Sequence, residues 1–596
     1  MHELAVRRAT IRRGVRWGAI VAVLALVAAG VSVDRLYSTG QHTRTDLLAV
    51  GRLAQQLRQE LDHGDVPAAQ RILADLRTHA HAARSATEGP LWGLGSRLPR
   101  VGPDMAAVAT VARVVDDLAE HGLPELLGLA NAVDPARLAP RNGTVRLAGL
   151  TPLTAQVDAA GGAVRSALDE LSTIPTGRLA PQLSAAIAEL RTGLERAAAD
   201  IGTAARAIRL LPPMLGYGGP RTYLILFQNL AEVRATGGMP GAFATVRADR
   251  GGMRVLRTGA TSSEMHAFYP PVARLDPDLR GLYGDLPAVY PADVNLTPDF
   301  PTAATLIREM YRQRTGLRVD GVIAVDPVAL SLILQATGPV PVRGGWTLTA
   351  GNAVRVLLSD VYQRLGTQAG QDRFFLDAAN AVFGTLLRGR ISPRPALAAL
   401  ARAAGERRIL LWSAHPAEQR LLDTTVLAGA LPADDGAAPT VGVFLNDGSG
   451  AKLGYYLRHT AELSETCPAG GARELHLRVT LASSAPSHGL ARSVLGLGLA
   501  GDPYTMRTHV MVFSPTGGDI VDAARDGRPV SWAVGAERGR VVGKVTVDLR
   551  PGARQTLDFH LVAGTPPASV AWAPARLRST PGLTIGNTQT NEFLPC

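Results

Sequence analysis

The chain has 596 residues, 46% of them hydrophobic and 19% charged, which is too long for one compact core and too apolar for a disordered protein. At about one to two hundred residues per domain, three or four units are expected. Lys is scarce, so arginine carries most of the formal net charge of +11; that balance suits nucleic acid, an anionic surface or a phosphorylated ligand and selects none of them.

Arg7, Arg8, Arg12, Arg13 and Arg16 stand immediately before an uncharged apolar run from Trp17 to Val33. A run of roughly 17 residues is at the lower limit for a transmembrane helix. Basic residues before it and few directly after it predict a cytoplasmic tail at 1–16, a single-pass anchor at 17–33 and a chain that is extracytoplasmic beyond it. A cleaved secretory signal is the competing reading, and it exports the chain as well. Nucleic-acid binding is not expected, because the basic cluster stays on the cytoplasmic side.

Residues 34–211 read as an extracytoplasmic helical stalk or bundle. Leu47, Val50, Leu53, Leu57 and Leu61 recur at three- and four-residue spacing, and similar amphipathic stretches follow. His79 and His81 are two apart and so face different ways on a helix, which argues against a shared metal.

At "YLILFQNLAEVRATGGMPGAFATV", Tyr223 to Val246, the pattern changes to buried strands, and residues 212–432 read as an α/β domain with helices over a central sheet. Strands are expected at 223–228, 241–247, 253–258 and 319–325, helices at 302–315 and 327–336, and a long irregular loop at 262–301. Two readings of the opening segment stand side by side. Gly237, Gly238 and Gly241 form a turn, with Gln228 and Asn229 satisfying loop backbone. Alternatively, the end of the first strand presents Asn229, Glu232 and Arg234 at the mouth of the sheet, where open α/β folds hold ligands. No G-K-[ST] follows, so it is not a phosphate-binding P-loop. Asp320 and Asp326 read as strand-end turn and cap residues. Asp276, Asp285, Asp293 and Asp299 lack regular ligand spacing, so no metal site is assigned.

From Val441, alternation such as Leu475, Leu477, Val479 and Leu481 predicts short strands, and residues 433–596 read as a β-sandwich of immunoglobulin-like class. The chain has two cysteines, Cys467 and Cys596, and an exported protein is expected to join them in a disulfide. The fold class expected overall is therefore multidomain α+β: anchor, helical stalk, α/β domain and sandwich. No nucleophile elbow, zinc pattern or Rossmann fingerprint occurs, so hydrolase, metalloprotease and dehydrogenase readings lack support.

The segments "YLILFQNLAEVRATGGMPGAF", "DFPTAATLIREMYRQRTGLRVDGVIAVDPVALSLILQATGPVPV", "LTAGNAVRVLLSDVY" and "NDGSGAKLGYYL" resemble the actinobacterial membrane-anchored proteins of the domain-of-unknown-function family numbered 4012. More distantly, "LRVDGVIAVDPVALSLILQATGPVPV", "LTAGNAVRVLL" and "QDRFFLDAANAVFGTLL" are similar in order and spacing to the LytR-CpsA-Psr family. That resemblance implies transfer of a glycopolymer from a polyprenyl-pyrophosphate carrier to peptidoglycan, with arginines on the pyrophosphate and aspartates on Mg²⁺. Carried across residue by residue, the site thins. Arg234 stands at the arginine of an "RTD" segment, but Ala235 and Thr236 follow it. Arg257 to Ser263 replaces "S-I-P-R-D" out of register. The arginine-rich run is reduced to Arg364 and Arg373, with Asp360 and Asp372 nearby.

The candidate ligand-binding residues are Arg221, Asn229, Glu232, Arg234, Arg257, Arg364, Asp372 and Arg373. The function expected is binding of a polyprenyl-phosphate-linked glycan, extended to its transfer, with Mg²⁺, if the chain is a transferase. The alternative is a non-catalytic envelope scaffold or glycan-binding protein. Transfer requires Arg221, Arg234, Arg257 or Arg373 to converge on one pocket with carboxylates.

Overall fold

The computed structural model describes residues 39–61, 63, 65–132, 144–147, 150, 152–387, 393–466, 473–564, 573–582 and 589–593. The chain divides into two compact units, 1–134 with 147–212, and 135–146 with 213–596.

The first unit is helical. Helices cover 39–61, Val66–Thr87, Gly102–Asp117, Leu123–Ala132, Leu153–Ser172 and Pro181–Met214. Val66–Thr87 starts where the Asp65 carboxylate accepts the Ala68 N–H at 2.9 Å with a proline in the first turn, and it buries Ala69, Leu73, Leu76, Ala80 and Ala83 along one stripe. Leu76 and Ala80 pack with Val50 and Ala119, and Ala69 and Leu73 with Leu57 and Leu127. His79 pairs with Asp46 at 2.8 Å while His81 lies 3.8 Å from Asp116, so the two imidazoles serve different neighbours.

The expected transmembrane helix at 17–33 falls outside the described residues. Among the described residues no helix is long and apolar enough to cross a membrane. The longest, Pro181–Met214, carries Glu189, Arg191, Glu195, Arg196, Asp200, Arg206 and Arg209, too many charges for a hydrocarbon core. The fold class is accordingly corrected to a mixed α/β chain with several small sheets, in which no membrane helix occurs among the described residues.

In the second unit the strands β1 (Arg221–Arg234), β2 (Gly237–Asp249), β3 (Gly252–Ala260) and β4 (Gly321–Val325) are followed by a hairpin, β5 (Val340–Val342) with β6 (Trp346–Leu348), and then by β7 (Ile409–Ser413). The central sheet has the order β3-β2-β1-β4-β7, and only the β1–β4 pair is parallel. Successive side chains of β1 alternate between two covered faces. Leu224 and Leu226 pack with Phe243, Phe300 and Ile307 on one side, and Ile225 sits with Ala244, Val246 and the half-buried Phe227 on the other.

The expected irregular loop at 262–301 is instead broken into short helical pieces, Pro277–Tyr283, Leu286–Val289 and Pro291–Leu296. Each has Pro in its first turn, and Asp276 also caps its piece by accepting the Asp278 N–H. Pro and Asp read as loop residues but here mark helix starts. Asp299 caps Phe300–Thr315 in the same way, and Gly316 in the left-handed region ends it.

The remaining strands are β8 (Thr440–Asp447), β9 (Leu457–Thr466), β10 (Glu474–Ser483), β11 (Met506–Phe513), β12 (Asp519–Arg525), β13 (Arg528–Pro529), β14 (Ala533–Glu537), β15 (Arg540–Leu549), β16 (Arg554–Val562), β17 (Arg576–Ser579) and β18 (Gln589–Phe593). They form two sheets, β13-β12-β16-β10-β9-β18 and β14-β15-β11-β8-β17. Leu475, Leu477, Leu557 and Phe559 of one share a core with Val510, Val512, Val545 and Val547 of the other. The arrangement is not the fully antiparallel immunoglobulin pattern, because β17 runs parallel to β8 and β18 parallel to β9. Asn446 ties this layer to the central sheet, accepting the Ala235 N–H and donating to the Leu296 carbonyl, both at 3.0 Å.

The expected Cys467–Cys596 disulfide is likewise unsupported. Both cysteines lie outside the described residues, and no cysteine pair able to bridge occurs among those described.

Candidate functional site

A cavity of about 550 Å³ opens at the C-terminal ends of β1 and β4. Ile225, Phe227, Ile323 and Val325 form its floor, since odd-numbered residues of both strands face the same way. The helix Pro327–Thr337 contributes Leu330 and Ile333, and the helix Gln368–Leu387 contributes Phe375, Ala378, Ala379, Val382 and Phe383. The rings of Phe227 and Phe383 meet edge to face at 6.3 Å. Asp326 anchors the first of these helices by accepting the Ala329 N–H at 2.7 Å and pairs with Arg408 at 3.1 Å. Both side chains of that pair are buried, and burial pushes the Asp326 carboxyl up against the opposing pull of Arg408.

The polar rim comes from an irregularity in β1. Asn229 pairs with Met239, but the next paired residue is Val233, opposite Gly238, so Leu230, Ala231 and Glu232 bulge out of the ladder. The bulge carries Asn229 and Glu232 to the cavity. Asn229 donates to the Tyr362 hydroxyl at 3.0 Å, and Lys452 Nζ lies 2.8 Å from Glu232 Oε1 and 5.3 Å from the centre of the Tyr362 ring. Burial first, and the Glu232 charge second, raise the Tyr362 pKa, so the phenol keeps its proton. Gln368 donates to Asp372 at 2.7 Å on the facing helix.

The glycines of the opening segment are strand residues of the β1–β2 hairpin. Gly237 opposes Arg234 with φ of 133°, and a Cβ on Gly238 would lie 2.4 Å from the Asn229 backbone. The close approach of Gly238 is what the bulge requires. Gly241 lines the cavity, with ordinary room around it.

Of the candidate residues, Asn229, Glu232 and Asp372 meet at the cavity, and the arginines go elsewhere. Arg221 opens β1, eight residues before Asn229 and so on the order of 26 Å from it along an extended strand, and it contacts His415 Nε2 at 2.7 Å and Glu418 at 3.3 Å. Arg234 is buried, donates to the Val233 carbonyl and pairs with Asp293 at 2.9 Å. Arg257 pairs with Glu264, Arg364 stacks over Trp346 at 5.0 Å, and Arg373 is exposed. The convergence that transfer requires is therefore not what the chain builds. The sequence reading also passed over Lys452 and Tyr362, although Lys452 is one of very few lysines and both fall in the quoted motifs.

The rim offers one cation and two carboxylates. Glu232 is engaged by Lys452 and Asp372 by Gln368, and among the described residues no group of three carboxylate or imidazole ligands occurs here. This donor set does not fit the Mg²⁺ of a pyrophosphate transferase.

Residues 218–362 match a family model described as "Protein of unknown function (DUF4012)", which supports that family for this segment and states no activity. No curated protein matches. Among solved structures, the crystal structure of the transcriptional regulator yvhJ from Bacillus subtilis is 11% identical over 34% of this chain and 77% of that one, with a TM-score of 0.22. A likeness at that score carries neither fold nor function.

Proposed function

We propose that the second unit is a binding module for a long-chain amphiphile of the polyprenyl-phosphate-linked glycan type. It takes the apolar chain into the cavity and the polar head at the rim. The observation that supports this is the division of the lining: aliphatic and aromatic side chains from two strands and two helices enclose the depth, while Asn229, Glu232, Tyr362, Asp372 and Lys452 gather at β1's bulge. Its volume is within the roughly 300–1,000 Å³ of small-molecule sites. Lys452 and the protonated Tyr362 are groups that can meet a single phosphate oxygen, and the two carboxylates oppose a denser charge. The motif resemblance to the LytR-CpsA-Psr family supports the same ligand class, but its transfer step onto peptidoglycan is not part of this reading, because the arginines that step would use are committed to other partners.

Isothermal titration of the purified protein with prenyl monophosphates of increasing chain length tests the proposal. Each buried CH₂ contributes about 0.8 kcal/mol, so affinity should rise at least about tenfold per added prenyl unit until the cavity is full. Ala379→Trp, which fills the cavity, should weaken binding by about tenfold or more. Inorganic pyrophosphate bound as tightly as the prenyl compounds, or no binding by folded protein, would overturn the reading.

A further inference from the structure

A second site lies on the solvent face of the six-stranded sheet. Along β10 and β16 the odd positions Leu475, Leu477, Phe559 and Leu561 point into the core, so the even positions His476, Arg478, Asp558 and His560 point outward. The antiparallel register sets His476 directly opposite His560 and Arg478 opposite Asp558. The second pair closes as an ordinary ion pair at 2.7 Å. The first pair is two imidazoles stacked nearly parallel, with ring centres 5.0 Å apart and planes 8° from parallel.

Around the histidines the polar groups gather without closing. Glu474 Oε2 is 3.7 Å from His560 Nε2, and Asp522, brought alongside by an irregularity in β12, is 3.6 Å from His560 Nδ1. Both distances exceed hydrogen-bond range. The Nε2 atom of His560 is buried with no hydrogen-bond partner. One ligand atom each of Glu474, His476 and His560 lies within 4.8 Å of the others, and the two histidines, with Asp522, line a cavity of about 450 Å³. A buried ring nitrogen without a hydrogen-bond partner, beside a second imidazole and a carboxylate, is explained if a cation sits between them.

We propose that Glu474, His476 and His560 bind a divalent transition-metal ion of the zinc class. Two imidazoles and one carboxylate match the borderline ions and not Mg²⁺ or Ca²⁺, which take oxygen ligands. A tetrahedral ion with bonds of about 2.1 Å needs donors about 3.4 Å apart, so side-chain rotation alone closes the site. Three protein ligands leave one position open, and because His476 is exposed, that position faces solvent. Asp522, beside the other nitrogen of His560, is the group that would orient that ring.

Zn²⁺ alone is the probe, titrated calorimetrically into the full chain, with Mg²⁺ in a parallel titration and the metal-free melting curve of every variant as a folding control. The expected result is one saturable Zn²⁺ site without a Mg²⁺ counterpart. His476→Ala and His560→Gln should each abolish it, Glu474→Gln should weaken it about ten- to a hundredfold, and His488→Ala should leave it intact. Co²⁺ should give the visible absorption of a tetrahedral site in the parent and not in the histidine variants. Unchanged stoichiometry and affinity in the two histidine variants, or no saturable site in a folded parent, would overturn the assignment.

Discussion

Glu537 allows a pH prediction whose sign and size both follow from its surroundings. It closes β14 at 2% exposure, accepts the Tyr283 hydroxyl at 2.9 Å and the Thr297 hydroxyl at 2.5 Å, and faces the buried Asp299. Burial dominates, so its carboxyl is pushed from 4.5 up to about 7, although the two hydroxyls pull the other way. A folded state that holds its proton more tightly than the unfolded chain gains stability at low pH. That gain is complete below about 4.5 and is lost as pH rises through about 7. At about 1.4 kcal/mol per tenfold change in proton affinity, the rise from 4.5 to about 7 corresponds to about 3 kcal/mol.

Glu537→Gln removes the titration while keeping the shape. The amide sets an NH2 donor in place of one of the two oxygens that accept the hydroxyls, so the variant should be about 1 kcal/mol less stable than the parent at pH 5. At pH 8, where the parent holds a buried carboxylate, it should be more stable by about 2 kcal/mol. Denaturant midpoints of parent and variant at pH 5, 6, 7 and 8 read this directly, because the difference cancels the other titrating groups. A difference that is flat across that range, or that grows in favour of the parent at high pH, would refute the reasoning.

Arg234→Ala leaves Asp293 without its partner in a mostly buried setting, so it should cost about 3 kcal/mol of stability by thermal melting. Gly238→Ala sets a methyl against the Asn229 backbone and should cost about 2–3 kcal/mol. At Gly241 the nearest atom to an added Cβ is 3.7 Å away, and alanine there should shift stability by less than about 1 kcal/mol by the same melt. Arg257→Ala removes only an exposed pair with Glu264 and should leave prenyl-phosphate affinity unchanged in calorimetry, whereas Lys452→Ala should lower it several-fold.

Periodicity was enough for the strands and long helices. The run Tyr223–Gln228, the alternation Leu475–Leu481 and the capped start at Asp326 each carry their structure locally. The short helices between Pro277 and Leu296 were not legible, because proline marks loops and helix starts alike. The candidate site was half legible. Asn229 and Glu232 could be placed at a strand end, but the bulge that aims them depends on the register with β2, a pairing across the hairpin that composition does not reveal. The arginines misled for a related reason. Their order along the chain suggested a shared anion, and only the fold shows that Arg221 and Arg234 occupy opposite ends of one strand. The cavity itself arises from the helix Gln368–Leu387 covering the sheet, a long-range contact whose local sequence reads as an ordinary apolar helix.

Photocrosslinking with a prenyl monophosphate carrying a diazirine at its tail tests the central claim most directly. If the cavity holds the chain, labelled peptides should come from residues 323–333 and 374–383, and unlabelled prenyl phosphate should suppress them while pyrophosphate does not. Label confined to the helical unit or to the two C-terminal sheets, or label insensitive to the competitor, would contradict it.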